Sequence, residues 1–265
     1  MKYKRIKIRI SAYILILILL LLTASCSQND KYANNFFVQR VAHAGGGIEG
    51  QTYTNSIDAL NYNIKQGFLY FELDFDLTKD DQIVCIHDWN RYVEKFGFKD
   101  RPTLQEFKEK EASYSNYEKC TLYSLIDWLE DNPSAIIITD VKSDNLKTLK
   151  IMSEKIPDFE KRIIPQIYHP LNFNAVREFG YKKIIWTLYK YSFSDEEVLY
   201  WAKNFEKPFA ITMEDGRPSP ELLKSLKDLK VPTYIHTINS LEKFDKYKKE
   251  GATEIYTDFL YPNKN

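Results

Sequence analysis

The chain has 265 residues, and its 37 lysine and arginine residues balance 37 aspartate and glutamate residues. The first 26 residues contain five basic side chains and no acidic one, so the remainder holds 32 basic against 37 acidic residues, a net charge of −5. This balance excludes the broad basic surface that nucleic-acid binding needs. The sequence indicates no protein partner.

The N-terminus predicts a leader rather than part of the fold. MKYKRIKIR is basic, and residues 12–22 form an apolar run of eleven residues, which is too short to span a bilayer comfortably. LTASC then leads into Cys26 and is similar to a bacterial lipoprotein signal, although leucine stands four residues before the cysteine rather than three. We therefore expect residues 1–26 to be a signal peptide with Cys26 lipidated. A plain signal peptide or an uncleaved anchor is the alternative.

The leader also predicts a location. Residues 27–35 are polar and would form a short tether between a membrane and a domain that spans residues 36–265. We expect this domain to lie in the bacterial cell envelope, outside the cytoplasm and held to the membrane by the lipid.

Short apolar runs alternate with longer amphipathic stretches along residues 36–260. The runs predict strands at residues 39–42, 70–75, 83–87, 135–141, 162–166, 183–188, 209–213, 232–236 and 254–257. The stretches between them predict helices at residues 56–65, 122–130, 145–155, 172–179, 195–204, 220–229 and 240–249. This alternation is typical of an α/β protein with a parallel sheet. About eight such units fit a single-domain (β/α)₈ TIM barrel.

A doubly wound open sheet is the alternative fold. The GGG at residues 45–47 lacks the GxGxxG spacing of a dinucleotide-binding turn. We therefore favour the barrel.

The stretch FELDFDLT, residues 71–78, alternates apolar and acidic side chains with the period of a strand. Glu72, Asp74 and Asp76 thus share one face of that strand. Half-buried strands usually turn such charges to water, but the same carboxylates could bind a ligand. The strand alone does not distinguish solvent-exposed carboxylates from ligand-binding ones, so the rest of the sequence is needed.

Polar side chains stand at the carboxyl ends of several predicted strands, where barrel enzymes carry their catalytic groups. The side chains at these ends are His43, Glu72, Asp74, His87, Asp140, Lys142 and His236. Charges at the ends of otherwise apolar strands are costly unless they are paired or bound to a metal. We therefore expect these side chains to gather at one rim.

The chemistry of this set suits an anionic phosphodiester. Carboxylates at positions 72, 74 and 140 offer the hard oxygen ligands that Ca²⁺ or Mg²⁺ prefers over zinc. Two imidazoles, His43 and His87, could act as general base and general acid. Lys142 could offset negative charge on a phosphate.

The motifs in order resemble the glycerophosphodiester phosphodiesterase family, whose superfamily includes phosphatidylinositol-specific phospholipases C. The matching segments are VAHAGG at 41–46, TNS at 54–56, FELDFDLTKDDQIVCIHD at 71–88, ITDVK at 138–142 and EIYTDF at 254–259. The resemblance implies a TIM barrel, a divalent cation and a small-molecule or lipid phosphodiester as substrate. It also implies that His43 and His87 are the catalytic pair, that Glu72, Asp74 and Asp140 bind the metal, and that Lys142 contacts the phosphate.

Asn55 and His236 complete the set of expected substrate contacts. By analogy with the family, a hydroxyl beside the phosphodiester would attack phosphorus, and water would open the resulting cyclic phosphate. His43 and His87 would exchange proton roles between the two steps.

Several positions depart from the family pattern. Ala44 stands where an arginine usually follows the histidine, Thr54 replaces a glutamate, and Asp140 replaces another. The sequence therefore predicts a metal-dependent phosphodiester hydrolase without naming its substrate. A barrel that binds headgroups without turnover, or a phospholipase-like lyase that forms a cyclic phosphate, is the alternative. Residues 45–47 could contact phosphate through their amides, or they could simply form a tight turn.

Two further features leave alternatives open. Cys85 and Cys120 could pair in an oxidising compartment or could remain buried thiols. The aromatic residues Trp89, Tyr92, Phe96 and Phe98 could cover the site and meet acyl chains, but we favour their packing against the domain.

Overall fold

Eight parallel strands close into a ring in the computed structural model, which describes residues 39–114 and 116–262. In chain order the strands are β1 (Val41–Ala42), β2 (Tyr70–Leu77), β3 (Ile83–Cys85), β4 (Ile136–Val141), β5 (Ile163–Ile167), β6 (Ile184–Thr187), β7 (Phe209–Glu214), β8 (Thr233–His236) and β9 (Glu254–Thr257). Each strand of the ring pairs in parallel with the next, and β1 pairs with both β2 and β9. The predicted TIM barrel is confirmed.

β3 does not belong to the ring. It pairs antiparallel with the carboxyl end of β2, through Phe75↔Cys85 and Leu77↔Ile83. The predicted strand at residues 83–87 is therefore a short return strand outside the barrel. This return places His87 beside the strand that carries Glu72 and Asp74.

The helices follow the expected pattern at most positions. They are α1 (Ile57–Lys65), α2 (Trp89–Phe96), α3 (Leu104–Tyr114), α4 (Leu122–Asp131), α5 (Asn145–Lys155), α6 (Phe159–Arg162), α7 (Phe173–Glu178), α8 (Asp195–Asn204), α9 (Pro220–Asp228) and α10 (Leu241–Glu250). Side-chain oxygens of Ser56, Thr121, Ser194, Ser219 and Ser240 cap α1, α4, α8, α9 and α10. These caps satisfy backbone donors that the first turn of a helix leaves open.

α2 and α3 form an excursion between β3 and α4 that the sequence did not predict as helical. Trp89 and Tyr92 from α2 and Phe107 from α3 are buried against one another, with ring centroids 5.3–5.9 Å apart. The packing interpretation of these aromatic residues is confirmed by this cluster. Arg101 fixes the excursion to the barrel, because its guanidinium donates to the Asp76 carboxylate and to the Leu77 carbonyl.

The barrel strands are buried on both faces, as parallel strands covered by helices usually are. β2 and β4 expose almost none of their side chains. The carboxylates at their carboxyl ends are therefore buried, and a buried charge that is not compensated is costly.

The predicted leader, the lipidated Cys26 and the tether lie outside the described residues, and they stay predictions together with the envelope location. Within residues 39–114 and 116–262, no helix combines the length and the apolar character that crossing a bilayer requires.

Candidate active site

Glu72, Asp74 and Asp140 converge at the carboxyl end of the barrel. Glu72 and Asp74 lie two residues apart on β2 and so share one face, and Asp74 stands directly opposite Asp140 in the β2–β4 pairing. One carboxylate oxygen from each lies within 4.8 Å of the others, and all three residues are buried. The sequence predicted this grouping, and the structure brings the three residues together.

The donor set fits a hard divalent cation. Burial, and then the charge of Asp74, raise the pKa of the Glu72 carboxyl to about 8. Glu72 Oε2 accepts a hydrogen bond from the Ala44 amide at 2.9 Å, while Oε1 is buried without a hydrogen-bond partner among the described residues. An unpartnered carboxylate oxygen beside two further carboxylates is the surrounding that Ca²⁺ or Mg²⁺ would complete.

Lys142 supplies positive charge to the same cluster. Its Nζ lies 2.5 Å from Asp74 Oδ1 and 2.9 Å from Asp140 Oδ2. The two carboxylates raise the pKa of Lys142 against the opposing effect of burial, which is the largest contribution, so the side chain is an ammonium throughout the physiological range. Its contacts are to carboxylates, and its predicted role as a phosphate contact stays a prediction.

Asp140 is further held by two tyrosine hydroxyls. Tyr168 donates to Oδ1 and lies next to the Val141 carbonyl, and Tyr189 lies 2.9 Å from the same Oδ1. After the unfavourable effect of burial, Lys142 and these hydroxyls lower the pKa of Asp140. Asp140 is therefore an anion, and Glu72, whose pKa is raised, binds a proton more readily than Asp140.

Asn55 holds Asp74 in place. Its Nδ2 donates to Asp74 Oδ2 at 2.7 Å, and its Oδ1 accepts from the Asp74 amide at 2.9 Å. The side chain is fully buried, and φ is 48°. We predicted Asn55 to contact substrate, but the hydrogen bonds that the structure gives its side chain are directed to Asp74.

His43 follows β1 and is paired with a carboxylate from β9. Its Nδ1 lies 2.9 Å from Asp258 Oδ1, and Asn239 Nδ2 donates to Asp258 Oδ2 at 2.6 Å. Because an ionised carboxylate only accepts hydrogen bonds, Nδ1 carries the proton and Nε2 is the free basic nitrogen. Burial lowers the pKa of His43, but Asp258 together with Glu72 and Asp74 outweighs burial and raises the pKa above its ordinary value.

His87 lies across Tyr53 from His43. The Tyr53 ring makes edge contacts with both imidazoles, at 4.7 Å from His43 and 5.0 Å from His87. His87 is exposed, whereas His43 is buried. The partial withdrawal of the His87 ring from water lowers its pKa, with an opposing contribution from Asp74.

His236 lies at the end of β8, at the same barrel mouth. Its ring centroid is 6.0 Å from Tyr189 and 5.9 Å from Tyr256, and its Nε2 has no hydrogen-bond partner among the described residues. Burial, followed by the charge of His43, lowers the pKa of His236 to about 4. His236 is therefore a neutral ring at neutral pH, and its contact with substrate stays a prediction.

The third acid of β2 has a structural role. The Asp76 carboxylate accepts hydrogen bonds from Ser143 and Arg101, which join the α2–α3 excursion and the start of α5 to the barrel. The acidic face of residues 71–78 is thus divided between a candidate metal site and a structural ion pair.

The glycines at 45–47 form a tight turn. The Gly46 amide donates to the His43 carbonyl, and the Gly47 amide donates to the Asp258 carbonyl. A Cβ atom at Gly47 would lie 2.1 Å from the Phe259 ring, and Gly46 has φ 86°. Close packing and backbone geometry explain these residues, and at least two of their amides are not free for a phosphate.

Sequence analysis missed Tyr53, Asp258 and Asn239. Asp258 stands in the quoted EIYTDF segment, so the residue was in view, but its pairing with His43 joins positions 215 residues apart. Tyr53 precedes the TNS motif, but nothing in the sequence marks a tyrosine in a predicted loop as part of a site.

Cys85 and Cys120 are joined as a disulfide with their Cα atoms 5.1 Å apart, a separation typical of such bonds. Both residues are fully buried, and the Cys85 amide donates to the Cys120 carbonyl at 2.8 Å. The bond ties β3, two residues before His87, to the segment that leads into α4.

Comparison with known proteins gives one consistent group of relatives. The family model described as "Glycerophosphoryl diester phosphodiesterase family" matches residues 43–168. A glycerophosphodiester phosphodiesterase from Caldanaerobacter subterraneus is 27% identical over 235 residues, which cover 82% of this chain and 93% of that protein.

Solved structures share the fold. A glycerophosphodiester phosphodiesterase from Thermotoga maritima superposes with a TM-score of 0.62 at 20% identity, covering 84% of this chain and 95% of that one. A phosphodiesterase from Oleispira antarctica was solved in complex with the product sn-glycerol-3-phosphate. It superposes with a TM-score of 0.66 at 17% identity, covering 88% of this chain and 96% of that one.

Proposed function

This chain belongs to the glycerophosphoryl diester phosphodiesterase family, and on that premise we propose that it hydrolyses glycerophosphodiesters or phospholipid headgroups with the help of a divalent cation. The observation that carries the proposal is the buried group of Glu72, Asp74 and Asp140 beside two histidines that face one tyrosine ring. Together these groups offer what a metal-assisted hydrolysis of a phosphodiester uses: oxygen ligands for a cation, a proton acceptor and a proton donor.

Glu72, Asp74 and Asp140 would hold the cation. A bound Ca²⁺ or Mg²⁺ would supply Lewis acidity to a phosphoryl oxygen and offset the negative charge of the diester. Asn55 would keep Asp74 in position through its two hydrogen bonds, and is better described as a positioning residue than as a substrate contact.

His43 would accept the proton of the attacking hydroxyl at Nε2. Asp258 supports this role because its hydrogen bond fixes the tautomer and stabilises the charged ring that proton transfer creates. The attacking oxygen forms a bond to phosphorus as the bond to the leaving alcohol breaks.

His87 would give its proton to the departing oxygen. Its lowered pKa makes the protonated ring a stronger acid, and its exposure leaves room for a large alcohol group. Where a hydroxyl of the substrate attacks first, the product is a cyclic phosphate. Water then opens the ring with the two proton roles reversed.

The proposal is tested with purified protein and a panel of glycerophosphodiesters and lysophospholipids. Release of the alcohol should stop when a chelator is added and should return when Ca²⁺ or Mg²⁺ is restored. His43→Ala and His87→Ala should each lower kcat by about 100-fold or more. His169→Ala is the matched control, because this fourth histidine packs on Tyr191 and Phe193, and it should retain activity.

A protein that is stabilised by the cation but turns over no diester would be a binding protein, and the hydrolase proposal would then be wrong. Accumulation of cyclic phosphate without its opening would identify a lyase.

A further inference from the structure

A cavity of about 960 Å³ opens beside the candidate active site. It lies between the loop at residues 49–54 and the excursion at residues 86–119. Tyr53 and His87 line this cavity, Tyr53 also contacts His43, and the charge of Asp74 acts on the pKa of His87, so the cavity adjoins the place where a phosphodiester would react. Its volume falls in the range of sites for small molecules.

Most charged groups on the cavity wall are exposed or already bonded. Glu49 is exposed and accepts a hydrogen bond from the Tyr117 hydroxyl at 2.9 Å. Asp88 caps α2 by accepting from the amides of Asn90 and Arg91. Arg91 and Lys95 are exposed. Water screens such charges, so they contribute little to the binding of a ligand.

Lys119 is the exception on the basic side of the wall. Its Nζ donates to the Thr54 carbonyl at 2.7 Å, and no carboxylate of the described residues lies within 4.0 Å of it. An ammonium has three donors and no acceptor, so one neutral carbonyl leaves it incompletely satisfied. Burial lowers the pKa of Lys119 against the opposing charge of Glu111, the direction expected for a partly buried cation without an ion-pair partner.

The backbone under Lys119 is fixed from two sides. Residue 119 forms a bridge with Ser56, the Cys120 amide donates to the Asn55 carbonyl, and Cys120 is bonded to Cys85. The backbone that carries Lys119 is therefore fixed next to Asn55, the residue that holds Asp74, and the Thr54 carbonyl holds the ammonium itself. A preorganised charge of this kind binds a ligand with little loss of side-chain freedom.

We propose that the Lys119 ammonium binds an anionic oxygen of the substrate. This inference rests on the proposed function, and it adds a substrate contact at a position outside the family motifs quoted for this chain. The oxygen belongs either to the reacting phosphate or to a second anionic group on the part of the substrate that extends past His87. Both sources offer the same chemistry, a negatively charged oxygen within reach of a partly buried ammonium.

The test compares the wild-type protein with Lys119→Met and Lys119→Arg. Binding of inorganic phosphate and of sn-glycerol 3-phosphate is measured by calorimetry on the intact, Ca²⁺-loaded protein. Kinetics are measured on diesters whose leaving alcohol is uncharged or carries a second phosphate or carboxylate. Lys183→Met is the matched control, since burial also lowers the pKa of Lys183, to about 8, but it precedes β6 at the opposite end of the barrel.

Lys119→Met should weaken anion binding by about 10- to 100-fold, the range of a charge-assisted hydrogen bond, while Lys119→Arg restores most of it. Weaker binding of inorganic phosphate together with an equal loss on all diesters assigns Lys119 to the reacting phosphate. Unchanged phosphate binding with a raised KM only for diesters that carry a second anion assigns it to the distal group.

Two outcomes would overturn the inference. Lys119→Met could bind and turn over every ligand as the wild-type protein does, or Lys119→Arg could be as weak as Lys119→Met at an unchanged melting temperature. The phosphate titration needs no turnover. A wild-type protein that binds phosphate but hydrolyses no diester would remove the proposed hydrolysis and still leave Lys119 open to test.

Discussion

Asp258 decides which nitrogen of His43 is basic. It reaches His43 from the end of β9, the last strand of the barrel, while Asn239 holds its other oxygen. A neutral imidazole has one protonated and one basic nitrogen, and the hydrogen bond at Nδ1 selects the tautomer whose Nε2 can accept a proton.

Asp258→Asn should therefore lower kcat by about 100-fold or more with little change in KM. It should also move the limb of the pH–rate profile that belongs to His43 to lower pH, because the carboxylate raises the pKa of that histidine. Asp215→Asn is the control, since this carboxylate bonds to Lys243 and Tyr247 away from the site, and should leave kcat unchanged. A Asp258→Asn variant with wild-type kcat would contradict the positioning role.

At the level of single residues, the sequence predicted side chains on barrel strands better than side chains on loops. Glu72, Asp74 and Asp140 could be grouped because the register of a strand and the shared edge of a parallel sheet fix where their side chains lie. The contact of Tyr53 with two histidines depends on a loop in which Glu49, Tyr53 and Asn55 all have positive φ. No periodic pattern encodes such a loop.

Among the elements, the alternation of strands and helices predicted the barrel strands within a few residues. The exceptions have physical reasons. β3 is a short apolar run with the pattern of a barrel strand, but only five residues, 78–82, connect it to β2, too few for the crossover that a parallel neighbour requires. α3 carries few apolar residues, so its helical period is weak, and its main apolar anchor is the buried Phe107.

The disulfide between Cys85 and Cys120 closes a segment that contains α2 and α3. It spans 35 residues, for which the entropy of the unfolded chain gives a stabilisation of roughly 3–4 kcal/mol.

Reduction should therefore lower the melting temperature by about 10 °C. The double variant Cys85→Ala/Cys120→Ala should melt at a lower temperature than the oxidised wild-type protein and should not respond to a reductant. If the reductant leaves the wild-type melting curve unchanged, the two cysteines are free thiols in solution.

For the whole molecule, the acid cluster links stability to pH. Burial raises the pKa of Glu72 to about 8, whereas a glutamate in an unfolded chain has a pKa near 4.5. Between these values the folded state binds one proton more than the unfolded state, so the contribution of Glu72 to stability falls as the pH rises.

Without a divalent cation, Glu72→Gln should thus gain in melting temperature relative to the wild-type protein as the pH increases from 5 to 8. Added Ca²⁺ should reverse the order at pH 8, because it binds the ionised carboxylate and stabilises only the wild-type protein. Parallel melting curves for the two proteins at every pH, with or without Ca²⁺, would show that Glu72 is not the linked group.

Lys142 bears on how the acid cluster would bind a cation. Its ammonium spans Asp74 and Asp140, so a lysine already compensates the charge of these two acids without a metal. A divalent cation bound by the same oxygens would have to share them with the ammonium or displace it. The affinity of the site for a cation would then depend on where a displaced Lys142 side chain could move.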